Sequence, residues 1–153
     1  FKILNSNAMR KKNSTLEFGR ERNEFLLRSF RESIAAQSKI SLDNAFRQAA
    51  EKPAPRFWVS EVRASNVIGK MLAGDDPTVD MVPEKREMYR EMFARFMVLR
   101  KENPDASIAQ LCFQVVNDEA PRSYMSWHRA RVLIYEEISR QRNERRGNGQ
   151  KGF

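Results

Sequence analysis

Arginine side chains offer the most distinctive chemistry in this sequence. The chain holds 19 Arg and 9 Lys against 20 Asp and Glu, which leaves a net charge of +8 at neutral pH. A guanidinium presents its N–H groups in a planar fork that fits two oxygens of a phosphate or the edge of a guanine base. The composition therefore favours nucleic acid as partner, ahead of an acidic protein or an anionic membrane.

Residues that catalyse reactions or hold metals are scarce. Cys112 is the only cysteine and His128 the only histidine, so neither an intrachain disulfide nor a multi-cysteine or His-rich metal site can form. The sequence has no Gly-rich phosphate loop, nucleophile elbow or H-x-x-x-H pair. We therefore expect a non-enzymatic protein without a cofactor, in which Cys112 is a small buried hydrophobe. No apolar run is long enough to span a bilayer, so we expect no membrane partner and a reducing, cytoplasmic location.

An internal repeat organises the chain. With an offset of 66 positions, residues 41–72 align with residues 107–138 without a gap, and nine of the 32 pairs are identical. Both copies contain the pattern A-P-R-x-[WY]-[VM]-S-x-x-R-A, which starts at Ala54 and at Ala120. Because chance would give only about two identities, we interpret the match as a duplication.

The pattern of capping and apolar residues in each copy predicts three helices, so the expected fold class is all-α. The helices should begin near Ser14, Ser41 and Ser60 in the first copy and near Pro83, Ser107 and Ser126 in the second. Apolar residues recur at helical spacing after each start. The predicted apolar faces of the second helices are Leu42, Ala45, Phe46 and Ala49, matched by Ile108, Leu111, Cys112 and Val115. Those of the third helices are Ala64, Val67, Ile68, Met71 and Leu72, matched by Ala130, Leu133, Ile134 and Ile138.

The repeat also predicts the domain boundaries. Residues 14–73 and 84–145 should form two contiguous three-helix modules, joined by a linker at 74–83 that Val79, Met81 and Val82 hold in place. Residues 146–153 are basic, Gly-rich and nearly free of apolar residues, which predicts a disordered tail. The run Ser6-Asn7-Ala8-Met9 resembles the scar of a removed purification tag, so residues 1–8 are interpreted as a tag remnant.

Three helices with a capped third helix resemble the trihelical helix-turn-helix module of homeodomain-, Myb- and resolvase-like DNA-binding proteins. The resemblance covers both copies, although the connection at residues 52–59 is longer than the usual turn of three or four residues. The A-P-R-x-[WY]-[VM]-S signature is also similar to small uncharacterised bacterial proteins carried on mobile elements. The resemblance implies two tandem modules that bind double-stranded DNA, each with its third helix in the major groove, and a location with the nucleoid.

The candidate nucleic-acid-binding residues lie off the apolar faces of the third helices and in the turns before them. They are Glu61, Ser65, Asn66 and Lys70 in the first copy, Trp127, His128, Arg131 and Tyr135 in the second, and the repeated Arg56 and Arg122. Asn66 has the amide to pair with adenine, and Arg131 has the fork to pair with guanine. Arg56 and Arg122 are predicted to contact phosphates, with an ion pair to Glu51 or Asp118 as the alternative. For Trp127 a base contact and a core position both stay open.

Two other functions remain alternatives. An all-helical adaptor would bind a partner protein through its repeats, and the Met- and Phe-rich fourth helix offers either a homodimer face or part of the core. RNA binding ranks third, because the sequence contains no recognised RNA-binding motif. A positive surface along the third helices would favour DNA, and an exposed apolar patch would favour the adaptor.

Overall fold

The chain forms helices joined by short connections. The structure is a computed structural model that describes the backbone of residues 14–151 and the side chains of residues 18–148. The described residues form helices and no strand, which confirms the all-α fold class. The helices are α1 Ser14–Ala36, α2 Leu42–Glu51, α3 Glu61–Leu72, α4 Pro83–Glu102, α5 Ile108–Val116 and α6 Trp127–Lys151. The predicted tag remnant at residues 1–8 lies outside the described residues.

Serine hydroxyls cap four of the helices, as predicted. Ser41, Ser60, Ser107 and Ser126 each accept a hydrogen bond from the backbone N–H three residues on, at 3.1–3.3 Å. At α5 the cap is reciprocal, because Gln110 Oε1 accepts from the Ser107 N–H at 2.8 Å. Each hydroxyl satisfies one of the backbone donors that a helix start leaves unpaired. The caps therefore fix where the second and third helices of both copies begin.

Proline and glycine set other helix ends. Pro83 is the first residue of α4, where its missing N–H leaves no bond unmade. The helix ends at Glu102, just before Asn103-Pro104, because a residue that precedes proline avoids the helical conformation. After α3, Gly74 has φ of +98° and donates its N–H to the Met71 carbonyl. A residue without a Cβ adopts that left-handed conformation at little cost.

Unit 1, the first of two compact units, contains residues 14–19 and 53–124. In unit 1, α3 packs on α5 and α4 packs on both. The largest fully buried side chains of its core are Phe57, Ile68, Met92, Phe96, Leu111 and Val67. The segment before α3 is extended and is joined to the segment after α5 by two backbone hydrogen bonds between Ala54 and Ala120, at 2.9 and 2.8 Å.

Unit 2 contains residues 20–52 and 125–151 of the described chain. In unit 2, α2 packs on α6. The Phe30 ring of α1 stacks on the Phe46 ring of α2 with centroids 4.7 Å apart. Its largest fully buried side chains are Phe46, Leu26, Leu27, Leu133, Ile134 and Glu137.

Each unit therefore joins helices from both copies of the repeat. Unit 1 combines α4 and α5 with α3 of the first copy, and unit 2 combines α1 and α2 with α6 of the second copy. This arrangement differs from the contiguous modules 14–73 and 84–145 that the sequence predicts. A tight turn would return α3 onto α2, but the extended segment instead fixes Phe57 by donating its N–H to the Val116 carbonyl of α5. The length of the connection thus allows the third helices to be exchanged.

Some packing predictions are confirmed and others are wrong. Ala64 and Ala130 are completely buried, as expected for the centre of each apolar face. Leu42 and Ile108 are exposed instead, because each is the first residue of its helix and lies beyond the core. Cys112, on the predicted apolar face of α5, is buried, which confirms its place in the core.

The linker and the tail also differ from expectation. Val79 and Val82 are exposed, so apolar contacts do not hold the linker as predicted. Arg86 holds it instead, through guanidinium hydrogen bonds to the carbonyls of Val79 and Met81 at 3.2 and 3.1 Å. At the other end, α6 continues to Lys151, well beyond residue 145. No proline interrupts this stretch, and helix propagation tolerates Gly147 at a cost of about 1 kcal/mol.

Candidate nucleic-acid interface

One face of α6 in unit 2 presents a continuous set of solvent-exposed side chains. His128, Arg131 and Tyr135 are exposed at spacings of three and four residues, which places them on one side of the helix. An open concavity of about 870 Å³ lies along this face. It is lined by His128, Arg131, Val132, Tyr135, Glu136, Ser139, Arg140 and Asn143. The helix therefore offers a ligand cationic, aromatic and hydrogen-bonding groups.

A stack of three side chains lies at the N-terminal end of α6. The Arg47 guanidinium of α2 lies over the Trp127 ring, with Cζ 5.0 Å from the centroid. The His128 ring lies against the same indole, with centroids 3.8 Å apart and planes inclined by 30°. Trp127 is half-buried, whereas Arg47 and His128 are exposed. Trp127 thus packs α6 against α2, as a core residue would. Its ring also supports His128, which is a surface group.

Tyr135 anchors the middle of the face. Its ring meets the buried Phe46 ring of α2 edge-on, with centroids 5.7 Å apart, yet 46% of the residue is exposed. The Arg131 guanidinium lies 5.8 Å from the Tyr135 centroid, within the range of a cation–π contact. An arginine supported in this way loses less conformational entropy when it binds a ligand.

The C-terminal half of α6 is strongly basic. Arg142, Arg145 and Arg146 are exposed and, with Arg31 of α1, line a second shallow depression. Among the side chains of residues 18–148, none of these four arginines forms an ion pair. Their charges are consequently available to an anionic ligand.

Arg140 is the exception within this basic stretch, because its guanidinium is fully engaged. It donates to Glu137 through Nε at 2.9 Å and Nη2 at 2.7 Å, and to Glu144 through Nη1 at 2.6 Å. Glu24 of α1 lies 3.5 Å from Arg140 Nη2. Hydrogen bonds from Arg140 hold the pKa of Glu137 below its usual value, although burial acts in the opposite direction. Arg140 thus joins α1 to α6 and is a structural residue.

The predicted residues on α3 are less accessible than those on α6. Glu61 is only 3% exposed, so the prediction that it faces solvent is wrong. Ser65 turns its buried hydroxyl towards Cys112 of α5, so it too is unavailable to a partner. In unit 1 both α4 and α5 pack on α3, so part of the surface of this helix is covered. Asn66 and Lys70 remain exposed.

The repeated arginines make internal contacts. Arg56 donates to the carbonyls of Phe57 and Val59 at 3.0 and 2.8 Å, and so braces the extended connection. Arg122 pairs with Glu87 of α4 and lies over the Tyr124 ring at 5.0 Å. The predicted alternative of an ion pair thus applies to Arg122, with a different carboxylate from the one expected. The Arg122–Glu87 pair was not visible in the sequence, because it depends on how α4 packs.

The positive charge is unevenly distributed between the two units. Residues 20–52 and 125–153 contain 14 Lys and Arg against 8 Asp and Glu. Residues 53–124 contain 10 Lys and Arg against 11 Asp and Glu. Of these two sets of residues, only the one that belongs to unit 2 has an excess of cations, and unit 2 also carries the exposed face of α6.

Arg47 is the site residue that sequence reasoning missed. The repeat places it opposite Phe113, so no recurring pattern marks it. Its role depends on the packing of α2 against α6, which the contiguous modules did not include. No signal in the sequence alone would have found it.

Other types of site are not evident in the described part of the chain. Among its side chains, no three His, Cys, Asp or Glu residues gather in a way that would hold a metal ion. None of its helices combines the length and the apolar character needed to cross a membrane. No protein-family model matches the sequence, and comparisons with curated proteins and with solved structures give no match either.

Proposed function

We propose that the protein is a non-enzymatic DNA-binding protein and that unit 2 makes the principal contact with duplex DNA. The exposed face of α6, with His128, Arg131 and Tyr135 in the more basic unit, is the observation that carries this proposal. The predicted resemblance to helix-turn-helix proteins supports the same role for the third helix. In a bacterial cell such a protein would lie with the nucleoid.

The length of α6 favours two kinds of contact. At about 1.5 Å per residue, the 25 residues of Trp127–Lys151 extend over roughly 37 Å, about three times the width of the major groove. The N-terminal half would lie in the groove, where Arg131 can donate two hydrogen bonds to a guanine edge. The C-terminal half would leave the groove, so that Arg142, Arg145 and Arg146 meet phosphates.

A smaller contribution is proposed for α3. Asn66 and Lys70 are its accessible candidates, and the charges of residues 53–124 are nearly balanced. In the tandem arrangement that the repeat implies, Asn66 would read an adenine at a separate position of the DNA site. The larger share of affinity belongs to α6, because phosphate contacts dominate binding and α6 carries Arg142, Arg145 and Arg146, which form no ion pair with the side chains of residues 18–148.

Selection from random duplex DNA, followed by binding measurements on the selected site, tests the proposal. Arg131→Ala should weaken binding to the selected site roughly 5- to 150-fold and relax preference at one base pair. Arg146→Ala should weaken selected and scrambled sites alike and lower the salt slope by about 0.9. Arg100→Ala, an exposed arginine of α4 in unit 1, is the matched control and should change neither.

Two outcomes would reject parts of the proposal. Equal losses on selected and scrambled DNA for Arg131→Ala would mean that α6 binds without reading bases. Absence of duplex binding even at low salt would reject DNA binding and favour the adaptor. The adaptor has one observation in its support, since Met97 and Val98 of α4 are exposed. Sedimentation of the wild type and of a Val98→Asp variant would show whether these residues form a homodimer face.

A further inference from the structure

We infer that the stack at the start of α6 accepts an unpaired base, so that the protein prefers DNA with a single-stranded end over continuous duplex. This inference rests on the proposed DNA-binding function and specifies the form of DNA. It starts from the Arg47–Trp127–His128 stack, whose members lie 5.0 and 3.8 Å apart.

The stack is more than a core contact. Arg47 and Trp127 are sufficient to tie α2 to α6, because the guanidinium of one helix lies on the indole of the other. His128 adds a second ring against the indole, and it is exposed. At the equivalent position of the other copy stands Val62, so the repeat does not require a ring there. His128 is therefore an exposed aromatic ring that the Trp127 indole supports.

The chemistry of the stack indicates which ligand it suits. An aromatic ring recognises a nucleobase by stacking on its face, and every base offers such a face. Within a duplex these faces are covered by neighbouring base pairs, and only base edges are open in the grooves. An unpaired or terminal base is thus the ligand that can stack on the exposed His128 ring, which the Trp127 indole supports. Arg131 lies one turn further along α6, where it can meet the duplex that adjoins the unpaired base.

Comparing the affinities of two DNA ligands that contain the same selected duplex distinguishes recognition of a DNA end from binding to the duplex. The first is a dumbbell whose ends are closed by loops far from the site, and the second carries a two-nucleotide overhang next to it. Wild type should bind the overhang ligand about ten-fold more tightly, a factor within the range that one stacked base supplies. In His128→Ala this ratio should fall towards one, and in His128→Phe it should be retained, because stacking needs a ring and no charge. Arg100→Ala is the control and should keep the wild-type ratio.

A base analogue provides a second, direct measurement. With 2-aminopurine in the overhang, stacking on the protein should change its fluorescence on binding in wild type and in His128→Phe but not in His128→Ala. Equal affinity for both DNA ligands, or unchanged fluorescence with wild type, would overturn the inference while leaving duplex binding intact. Failure to bind either DNA ligand would overturn both this inference and the proposed function. Binding to the overhang ligand alone would support the stack and reject the major-groove contact.

Discussion

Replacing Glu137 with Gln should destabilise unit 2 and make its stability less dependent on pH. Glu137 is only 1% exposed and accepts three hydrogen bonds, two from Arg140 and one from Gln141 Nε2 at 2.9 Å. A glutamine keeps one acceptor oxygen but turns an N–H group towards a guanidinium that also donates. A charged hydrogen bond contributes about 1.5–3 kcal/mol. Because Arg140 keeps Glu24 and Glu144 as partners, we expect a loss of about 2 kcal/mol.

The pH dependence has a definite sign. The pKa of Glu137 is lowered in the folded protein, chiefly by the hydrogen bonds from Arg140. Its stabilising effect is therefore fully present above the ordinary value of 4.5 and is lost as pH falls through the lower folded value. The difference in unfolding free energy between wild type and Glu137→Gln should be largest near pH 7 and should shrink below pH 4.5.

Urea unfolding followed by tryptophan fluorescence provides the measurement. Trp127 belongs to unit 2 and Trp58 to unit 1, so a Trp58→Phe background reports on unit 2 alone. The matched control is Glu136→Gln, the exposed neighbouring carboxylate on α6, which should change stability by less than about 0.5 kcal/mol. Equal effects of the two substitutions, or a Glu137→Gln effect that does not vary with pH, would refute the role given to the buried carboxylate.

Three further predictions concern packing, reactivity and assembly. Ala64→Leu and Ala130→Leu should each cost roughly 1–3 kcal/mol by overpacking, seen as a lower melting temperature, whereas Ala94→Leu on the exposed side of α4 should be neutral; an unchanged Tm for either buried variant contradicts the packing. The Cys112 thiol, whose pKa burial raises to about 11, should react with a disulfide reagent at pH 8 only as fast as the protein unfolds; rapid labelling of native protein would count against its burial. Cleavage within the linker 74–82 should leave the two fragments associated, and each alone should lose helical circular dichroism; a separately folded fragment would contradict the exchange of third helices.

Local features of the fold could be predicted because local chemistry determines them. Ser60 and Ser126 cap their helices through bonds to residues three positions away, and no tertiary contact is needed for that. Burial of Ala64 and Ala130 likewise follows from helical periodicity. The partner of each apolar face could not be predicted. The apolar faces of the two third helices are similar in sequence, so periodicity shows which side is buried but not against which pair of helices.

In the candidate site, too, features set by local sequence could be predicted and features set by tertiary packing could not. His128, Arg131 and Tyr135 are exposed on one face of α6, as helical periodicity predicted, and their function stays a prediction. Glu61 was wrongly predicted to face solvent, because its burial depends on tertiary packing within unit 1. Arg47 was missed because its contact depends on the packing of α2 on α6.

The exchange of third helices also bears on how the chain is made. A ribosome delivers α1 and α2 before their partner α6, and α3, α4 and α5 are made in between. Until then Phe46 of α2 has the Phe30 ring of α1 against it but lacks its contact with Tyr135 of α6. Contacts between distant parts of a chain form slowly, and exposed apolar surface invites aggregation in the meantime. We therefore expect α1 and α2 to be prone to aggregation until α6 has been made, and a chain that stops before α6 to stay so.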